Sequence, residues 1–336
     1  MKRSAQRPTR APTLTDVAKQ AGVSRQTAGA VLGGKEHLFR SETIDAVRNA
    51  MEVLGYRPSA IGQALRQGRS GTIGLIQDRL SYRTQLNPRL LSGLEVALTG
   101  RGLQLIFAGL SEDADPPDVL RRIVAEGFLI NYHATPPPAL ERALTGTAPA
   151  VFLNVVLPAL AVSHDERQGA FALTTRCFER FGSVGWIHGR PATQSDQMAE
   201  PHHALGDRRQ GYLDACADAK TGPWLGEWLW GVDQPAIVEQ LGRLVRSPNR
   251  PRCLILDDGL ETCFLAHIAA AQAGLEVPRQ VAFATFGDHH CDNLGWLMPM
   301  ALRDWNAMAR AAVAMLCELL DGASSVPSQN ISLQHV

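Results

Sequence analysis

Small and apolar residues recur at helical spacing near the start of the chain. The stretch LTDVAKQAGVSRQTAGAVL, residues 14–32, carries two such runs, namely Val17, Ala18 and Ala21, then Thr27, Ala28 and Val31. Residues three or four positions apart lie on one face of a helix, so each run predicts a short helix with an inward stripe. A third helix is predicted over residues 41–54, with one apolar face formed by Ile44, Val47, Met51 and Leu54.

Residues that begin and end helices lie at the boundaries of these runs. Thr13 can cap the first helix, and Asp16 in its first turn lies near the positive end of the helix dipole. Gly22 permits the backbone conformation that ends this helix, and Ser24 can cap the next one. Two short helices joined by a sharp turn are typical of a helix-turn-helix, so we predict a small helical domain whose third helix ends at Gly55.

Short apolar runs alternate with helical patterns from residue 71 onward. After GTIGLI the runs are LQLIFAG, EGFLINY, APAVFLNV, AVSHD, VGWIHG, CLILDD and VAFATFG. Strand followed by helix, repeated, predicts parallel sheets flanked by helices, and residues 71–336 are enough for two such lobes. Ligands of open parallel sheets lie beyond the carboxyl ends of the strands, which predicts a binding cleft between the lobes. We interpret NISLQHV at the carboxyl end as the last strand.

The composition is that of a folded protein with more than one domain. The 336 residues are 45% hydrophobic and 20% charged, and a chain of this length exceeds one ordinary compact core. No apolar run approaches the roughly eighteen residues of a membrane span, so we expect a cytoplasmic protein without a membrane partner. The six cysteines show no CxxC spacing, and we expect buried reduced thiols with no metal ion and no cofactor.

The net charge of zero conceals an asymmetry along the chain. Residues 1–70 contain twelve Lys and Arg against five Asp and Glu, a net charge of +7, whereas residues 71–336 contain 21 against 28, a net charge of −7. A basic amino-terminal part on an acidic body indicates a polyanionic partner. A solvated basic surface is the alternative explanation.

The predicted second helix begins with side chains that can read DNA bases. Arginine can pair with O6 and N7 of guanine and glutamine with N6 and N7 of adenine, and Arg25 and Gln26 stand at the start of this helix. Small residues where the two helices cross allow a close approach, so the first turn of the second helix can enter a major groove. An ordinary helical hairpin with an exposed Arg-Gln pair is the alternative.

Three segments of the chain resemble the LacI/GalR, or lactose-repressor, family of bacterial transcriptional regulators. They are TLTDVAKQAGVSRQT, VLGYRPSAIGQALR and SGTIGLI. The resemblance implies an N-terminal all-α helix-turn-helix domain of the lambda-repressor-like type and an α/β effector domain of two parallel-sheet lobes, similar to type I periplasmic binding proteins. The implied domains are a basic disordered tail (1–12), the helix-turn-helix domain (13–58), a hinge helix and linker (59–70), and a two-lobed effector-binding and dimerisation domain (71–336).

The resemblance also implies which residues contact DNA. In the family the second helix reads the major groove, and a leucine of each hinge helix enters the minor groove and bends the duplex; by position that leucine is Leu65. Gly29 and Ala30 replace the usual Ser-Arg pair and Ser59 replaces an asparagine, which leaves the operator sequence open. The implied DNA-binding residues are Thr13, Leu14, Ser24, Arg25, Gln26, Thr27, Ala30, Tyr56, Ser59, Gln63 and Leu65.

A small-molecule effector is implied for the cleft. Its implied ligands are Asp78, Asn131, Asp165, Arg208, Asp257, Asp288 and Trp305. A guanidinium and carboxylates suit a polyhydroxylated molecule, because a hydroxyl accepts from the one and donates to the other; we therefore expect a sugar or a sugar acid. The alternatives are a surface ion-pair residue at Arg208, a helix cap at Asp257 and a core residue at Trp305.

The segment GDHHCDN, residues 287–293, is rich in metal-binding residue types. Neighbours in an extended segment point in alternate directions, so few of these side chains could hold one ion. We therefore expect a solvated or cleft-lining loop, with a metal site as the alternative.

These features predict a sequence-specific DNA-binding regulator, in the simplest case a repressor, whose effector changes operator affinity. We expect a homodimer on double-stranded operator DNA, because twofold operators match twofold dimers. A sugar-binding receptor without a DNA role is the alternative, although such a receptor would be expected to carry a secretory signal and to lack a basic amino-terminal part. A hydrolase or a kinase is disfavoured because the sequence contains neither GxSxG nor a phosphate-binding loop, and we do not expect an enzyme.

Overall fold

The computed structural model describes residues 11–57, 70–77, 86–109, 120, 125–132, 140, 144, 148–191, 202–230, 232–257, 259–288 and 298–336. The chain divides into two compact units, residues 1–71 and residues 72–336. Each unit has a hydrophobic core of its own.

The first unit is built on three helices within its described residues. They are α1 (Leu14–Gln20), α2 (Arg25–Val31) and α3 (Ser41–Leu54), with a 3₁₀ turn at Glu36–Leu38. Val17 and Val47 are fully buried, and the small side chains of Ala18 and Ala28 are buried where α1 and α2 pack together. The three predicted helices are confirmed, as is the end of α3 at Gly55, which has a φ of +62°.

The second unit contains two sheets. The strands are β1 (Thr72–Gln77), β2 (Gln104–Gly109), β3 (Gly127–Asn131), β4 (Ala150–Leu153), β5 (Ala161–His164), β6 (Val184–Pro191), β7 (Leu225–Trp230), β8 (Cys253–Leu256), β9 (Ala282–Gly287), β10 (Met300–Leu302), β11 (Gln329–Ile331) and β12 (Gln334–His335). The first sheet has the order β11-β5-β4-β3-β1-β2 and the second the order β12-β10-β9-β8-β6-β7. Among the named strands, the described pairings are parallel except that of β10 with β12.

Helices cover the sheets, so that each sheet and its helices form one lobe. The helices are α4 (Pro88–Thr99), α5 (Glu166–Phe181), α6 (His203–Asp218), α7 (Gln234–Val245), α8 (Leu260–Gln272) and α9 (Trp305–Leu320). Helices α4 and α9 pack on the first sheet, α5 and α6 on one face of the second sheet, and α7 and α8 on its other face. Strand β8 is therefore apolar on both sides: Ile255 packs towards α5 and α6, and Leu254 packs towards α7 and α8.

The chain passes between the lobes three times. It leaves the first sheet after His164 to form α5, returns from β10 to α9 across Arg303, and passes from β11 to β12 near the end. All strands of a parallel sheet end at the same edge of that sheet. The passages that leave β5 and β10 therefore bring the carboxyl ends of these two strands together. The predicted two-lobed α/β architecture is confirmed.

Two strand predictions require correction. The carboxyl-terminal segment NISLQHV, predicted as one last strand, forms parts of two strands that join different sheets, because the chain crosses between the lobes within it. Strand β7 was not among the predicted runs. It is an edge strand with partly exposed positions such as Leu225 (40% exposed), so its apolar pattern is weak.

Helices α5 and α6 approach closely because glycine lies at their contact. A Cβ atom on Gly211 of α6 would collide with the carbonyl oxygen of Arg167, and it would lie 2.9 Å from the Cβ atom of Ala170. A Cβ atom on Gly169 of α5 would lie 2.8 Å from a methyl group of Leu333, near the third passage between the lobes. This tight packing positions the first turns of both helices at the cleft.

Candidate DNA-binding helix and ligand cleft

The turn between α1 and α2 is held by local hydrogen bonds. Gly22 has a φ of +67°, and the N–H group of Val23 donates to the carbonyl oxygen of Ala18 at 3.0 Å. This is the hydrogen-bond pattern of a Schellman motif, which requires a left-handed residue that glycine adopts without strain. The sharp turn between α1 and α2 therefore depends on the left-handed conformation of Gly22.

The first turn of α2 is exposed and capped. The Ser24 hydroxyl accepts from the N–H group of Thr27 at 3.0 Å and lies 2.9 Å from the Thr27 hydroxyl. Arg25 and Gln26 are exposed. Neither side chain is needed for the core of the unit, which leaves both at the positive end of the helix, where a phosphate or a base edge can approach.

The other predicted DNA-binding residues have several different environments. Thr13 forms a capping box with Asp16: its N–H group donates to Asp16 at 2.8 Å. Leu14 and Tyr56 are half-buried against the core of the unit, and Ala30 is also half-buried. Three further predicted residues, Ser59, Gln63 and Leu65, lie outside the described residues.

Glu166 is the centre of a charged network at the cleft. Its carboxylate accepts from Nε of Arg208 at 2.6 Å and from Nε of Arg303 at 2.9 Å. Only 3% of Glu166 is exposed. Arg208 also donates to the carbonyl oxygen of Asp257 at 2.9 Å, and its guanidinium lies 4.8 Å from the centre of the Phe286 ring. Helices α5 and α6 are thus joined to the passage from β10 to α9.

Asp288 continues this network at the carboxyl end of β9. Its Oδ1 atom accepts from Arg303 at 3.1 Å and from Nε1 of Trp305 at 2.8 Å. Its Oδ2 atom accepts from Nδ2 of Asn87 at 2.7 Å. Asn87 belongs to the first lobe and also caps α4, so this hydrogen bond links the two lobes across the cleft.

A second contact between the lobes involves two histidines that precede and begin α6. The imidazoles of His202 and His203 lie 3.0 Å and 3.2 Å from the carbonyl oxygen of Asn154, which follows β4. His203 also contacts Asp207 at 2.8 Å. Among the described residues, His202 and His203 thus link the lobes in addition to Asn87.

Burial and charge shift the protonation of two groups at the cleft. Burial by itself raises the pKa of Glu166, but the guanidiniums of Arg208 and Arg303 outweigh it and hold that pKa well below its usual range. Burial lowers the pKa of His164 to about 4. The His164 ring packs edge-on against Trp305, with the ring centres 4.7 Å apart, so a carboxylate, two guanidiniums and a neutral imidazole adjoin one another.

The structure connects four of the predicted effector residues and gives two others different partners. Arg208, Asp257, Asp288 and Trp305 are connected through the network of Glu166 and Arg303. The remaining two described residues have different partners. Asn131 is buried and donates to Gln77 at 2.8 Å, and Asp165 caps α5 by accepting from Gln168 at 3.1 Å. Asp78 lies outside the described residues.

The alternatives for these residues have different outcomes. Asp257 does not cap α8, because the N-cap position is Gly259. Arg208 is in an ion pair, but a buried one, and Trp305 is half-buried at the cleft and packs against the core of the first lobe. Of the segment GDHHCDN only Gly287 and Asp288 are described.

Several cleft residues were not predicted from the sequence. They are Asn87, Asn154, His164, Glu166, His202, His203 and Arg303. A signal existed for two of them, because Glu166 directly follows Asp165, and Arg303 lies in the segment MALRDW with Trp305. The others are polar residues whose partners lie in the opposite lobe.

Among the described residues there is no group of three His, Cys, Asp or Glu side chains arranged to hold a metal ion. No helix in the described part of the chain is long and apolar enough to cross a membrane.

The chain is similar to known bacterial regulators. The family model for bacterial regulatory proteins of the lacI family matches residues 13–59. The HTH-type transcriptional regulator PtxS of Pseudomonas plecoglossicida is 30% identical over 129 residues, which are 36% of this chain and 37% of that protein. The HTH-type transcriptional regulator GalS of Salmonella typhimurium is 27% identical over 245 residues, 69% of this chain and 68% of that protein. The match to PtxS thus spans well under half of that relative's length.

A solved structure shares the fold of nearly the whole chain. The crystal structure of the Lac repressor dimer bound to operator and the anti-inducer ONPF matches with a TM-score of 0.76 and 19% sequence identity, over 97% of this chain and 98% of that one. An amino-terminal domain of the lacI type thus precedes two parallel-sheet lobes with the Lac repressor fold. The amino-terminal part of the chain is thus similar to the lacI family of bacterial regulatory proteins, and nearly the whole chain shares the fold of the Lac repressor.

Proposed function

We propose that the protein is a transcriptional regulator that binds operator DNA through α2 and a small-molecule effector between its lobes. The observation that carries the proposal is the exposed first turn of α2, where Arg25 and Gln26 follow the Ser24 cap. Exposed Arg and Gln at the amino end of the second helix suit reading of the major groove. The net charge of +7 on residues 1–70 supports binding to a polyanion.

The DNA contacts divide into two kinds in this proposal. Arg25 and Gln26 read bases, whereas Thr13, Ser24, Thr27 and Tyr56 position the unit on the phosphate backbone. The backbone N–H groups at the start of α2 strengthen phosphate binding. Three residues outside the described part of the chain, Ser59, Gln63 and Leu65, are proposed contacts of a hinge helix in the minor groove.

The proposed effector site is the cleft around Asp288, Arg208 and Trp305. Carboxylates and guanidiniums that face one another suit hydroxyl groups, and an indole ring suits the apolar face of a sugar. Support comes from the relatives, since the Lac repressor structure holds the anti-inducer ONPF. We therefore propose a sugar or a sugar acid as the effector class.

Regulation follows from a population shift in this proposal. A ligand that binds one arrangement of the lobes more tightly than the other favours that arrangement and changes the affinity for DNA. Linkage requires operator DNA to change the ligand affinity by the same factor. A homodimer on a twofold operator is the proposed assembly, in agreement with the Lac repressor dimer on operator. We propose a regulator of the cytoplasm that is not an enzyme, as the named functions of the relatives indicate.

Genomic footprinting of the full-length protein tests the DNA role. The recovered site is then bound by the wild type, Arg25→Ala and the control Arg48→Ala, which removes the same charge from the same unit. Arg48 is on α3 and pairs with Glu36 at 2.7 Å. Arg25→Ala should lose about 1–3 kcal/mol of DNA-binding free energy at one base step and relax the preference for the base at that step. Arg48→Ala should weaken binding slightly and to the same extent for every DNA sequence.

If Arg25→Ala weakens binding to every DNA sequence equally, Arg25 does not read a base. Absence of any footprint, with or without a panel of sugars and sugar acids, contradicts the whole proposal.

A further inference from the structure

The charges of the network around Glu166 are balanced before any ligand arrives. Two guanidiniums, of Arg208 and Arg303, meet two carboxylates, of Glu166 and Asp288. Each oxygen of Glu166 accepts from a different guanidinium, at 2.6 Å and 2.9 Å. Both Nε groups are therefore directed to one buried carboxylate, and an anionic ligand would have to compete with it.

Burial makes that competition unfavourable. Glu166 is 3% exposed and its two partners have side chains 10% and 14% exposed. Breaking one contact of a buried ion pair leaves a charge without compensation in a region of low dielectric constant. The pKa of Glu166 lies well below its usual range, so the carboxylate keeps its charge at neutral pH and protonation does not free the guanidiniums.

Two further acidic residues lie beside this network. Asp257 follows β8, is 4% exposed, and its backbone carbonyl accepts from Arg208. Asp165 adjoins Glu166 at the start of α5. An anionic ligand would therefore meet further acidic side chains beside the network. Like charges across a binding site disfavour a partner of the same sign.

We propose that Glu166 sets the charge of the effector, so that the cleft takes an uncharged polyhydroxylated molecule and excludes the corresponding sugar acid. This inference rests on the proposed function and narrows its effector class. Glu166 acts as a specificity-determining residue, since it binds the Nε group of each guanidinium and offsets the positive charge that would attract a carboxylate ligand. A neutral hydroxyl can still bind, because it can replace the Asn87 amide as the donor to Oδ2 of Asp288 without breaking an ion pair.

The test uses the full-length protein without DNA. A panel of matched pairs, in which each neutral sugar or alditol is accompanied by its aldonic, uronic or phosphorylated acid, is screened by thermal shift and isothermal titration calorimetry. We expect at least one neutral member to bind, about tenfold or more tightly than its acid, a factor that corresponds to about 1.4 kcal/mol. An acid that binds more tightly than its neutral partner, or a panel without any neutral ligand, overturns the proposal.

Variants at position 166 test the residue itself. Glu166→Gln removes the charge and leaves two guanidiniums for an anion, so the preference should shift by about tenfold towards the acid of the same pair. Glu166→Asp keeps the charge and should keep the neutral preference. The control Glu179→Gln changes an exposed residue of the same helix and should leave the preference unchanged. If Glu166→Gln binds with the wild-type preference, Glu166 does not set it and the proposal is wrong.

The folded state and the function are followed separately. Circular dichroism reports whether Glu166→Gln folds, and if it does not, the wild-type panel and Glu166→Asp still decide the proposal. Footprinting in the presence of the neutral ligand tests regulation. Ligand binding of the expected charge without any effect on DNA leaves this inference standing and contradicts the proposed function.

Discussion

Replacement of Gly211 by alanine tests the packing that positions the cleft. Gly211 lies on α6 against α5, and a methyl group there would overlap the carbonyl oxygen of Arg167 and approach the N atom of Phe171 to 2.9 Å. These neighbours are backbone atoms of a helix and cannot rotate away. The helices must therefore separate, which also draws Arg208, three residues earlier on α6, away from Glu166 on α5.

The expected magnitude follows from two opposing effects. Overpacking of a tight contact costs about 1–3 kcal/mol, whereas alanine is favoured over glycine within a helix by up to about 1 kcal/mol. Gly206, on the same helix, is the matched control because a Cβ atom there meets nothing within 4 Å. Gly206→Ala should raise the free energy of unfolding by up to about 1 kcal/mol. Both variants share this gain, so Gly211→Ala should be less stable than Gly206→Ala by the cost of overpacking alone, about 1–3 kcal/mol.

Urea unfolding followed by tryptophan fluorescence measures this difference. All six tryptophans lie in residues 72–336, so the signal reports only the two-lobed unit. Ligand titration should show in addition that Gly211→Ala binds the effector more weakly and that Gly206→Ala does not. If the two variants are equally stable, the close contact of α5 and α6 does not constrain the cleft and the reasoning is refuted.

Three further predictions concern the helix caps, the buried histidine and the contact between the lobes. Ser24→Ala should destabilise α2 by about 1 kcal/mol and weaken operator binding, as measured by thermal unfolding and gel shift; the exposed control Gln20→Ala should change neither. The pKa of His164 falls from 6.5 to about 4 on folding, so the unfolded chain binds more protons between these values. The free energy of unfolding should then decrease by about 2 kcal/mol from pH 8 to pH 5. His164→Gln should reduce this pH dependence, and an unchanged dependence contradicts its attribution to His164. Asn87→Asp can keep the cap of α4 but places a carboxylate 2.7 Å from that of Asp288, which should open the cleft and raise the radius of gyration in solution scattering; Asn87→Ser should show a smaller change, and identical curves for all three proteins refute a linking role.

Much of the fold was predictable because its signals are local. The caps at Thr13 and Ser24 and the turn at Gly22 depend on residues within a few positions of one another. The alternation of apolar strands with helices likewise predicted two parallel sheets. Strand β7 was missed because an edge strand buries only part of its length, and the carboxyl-terminal segment was misassigned because the passage between the lobes leaves no local pattern.

The cleft was predictable only in part. Residues that end strands could be identified as candidates, since the carboxyl ends of parallel strands line a ligand site. The resemblance to the LacI/GalR family indicated Arg208, Asp257, Asp288 and Trp305, which the structure connects. It could not find Asn87, whose partner Asp288 is 201 positions away, or the pairing of Glu166 with Arg303, 137 positions apart.

The amino-acid sequence by itself thus determined the helices, the turn, the two lobes and the basic amino-terminal part. Each of these depends on hydrogen bonds between near neighbours, on the periodicity of burial, or on a count of charges. Only the tertiary structure decided that Glu166 neutralises Arg208 and Arg303, because these three residues come from separate segments that meet where the chain passes between the lobes. A charge in the sequence does not reveal its counterion; packing of distant segments selects it, and with it the chemistry that the cleft can bind.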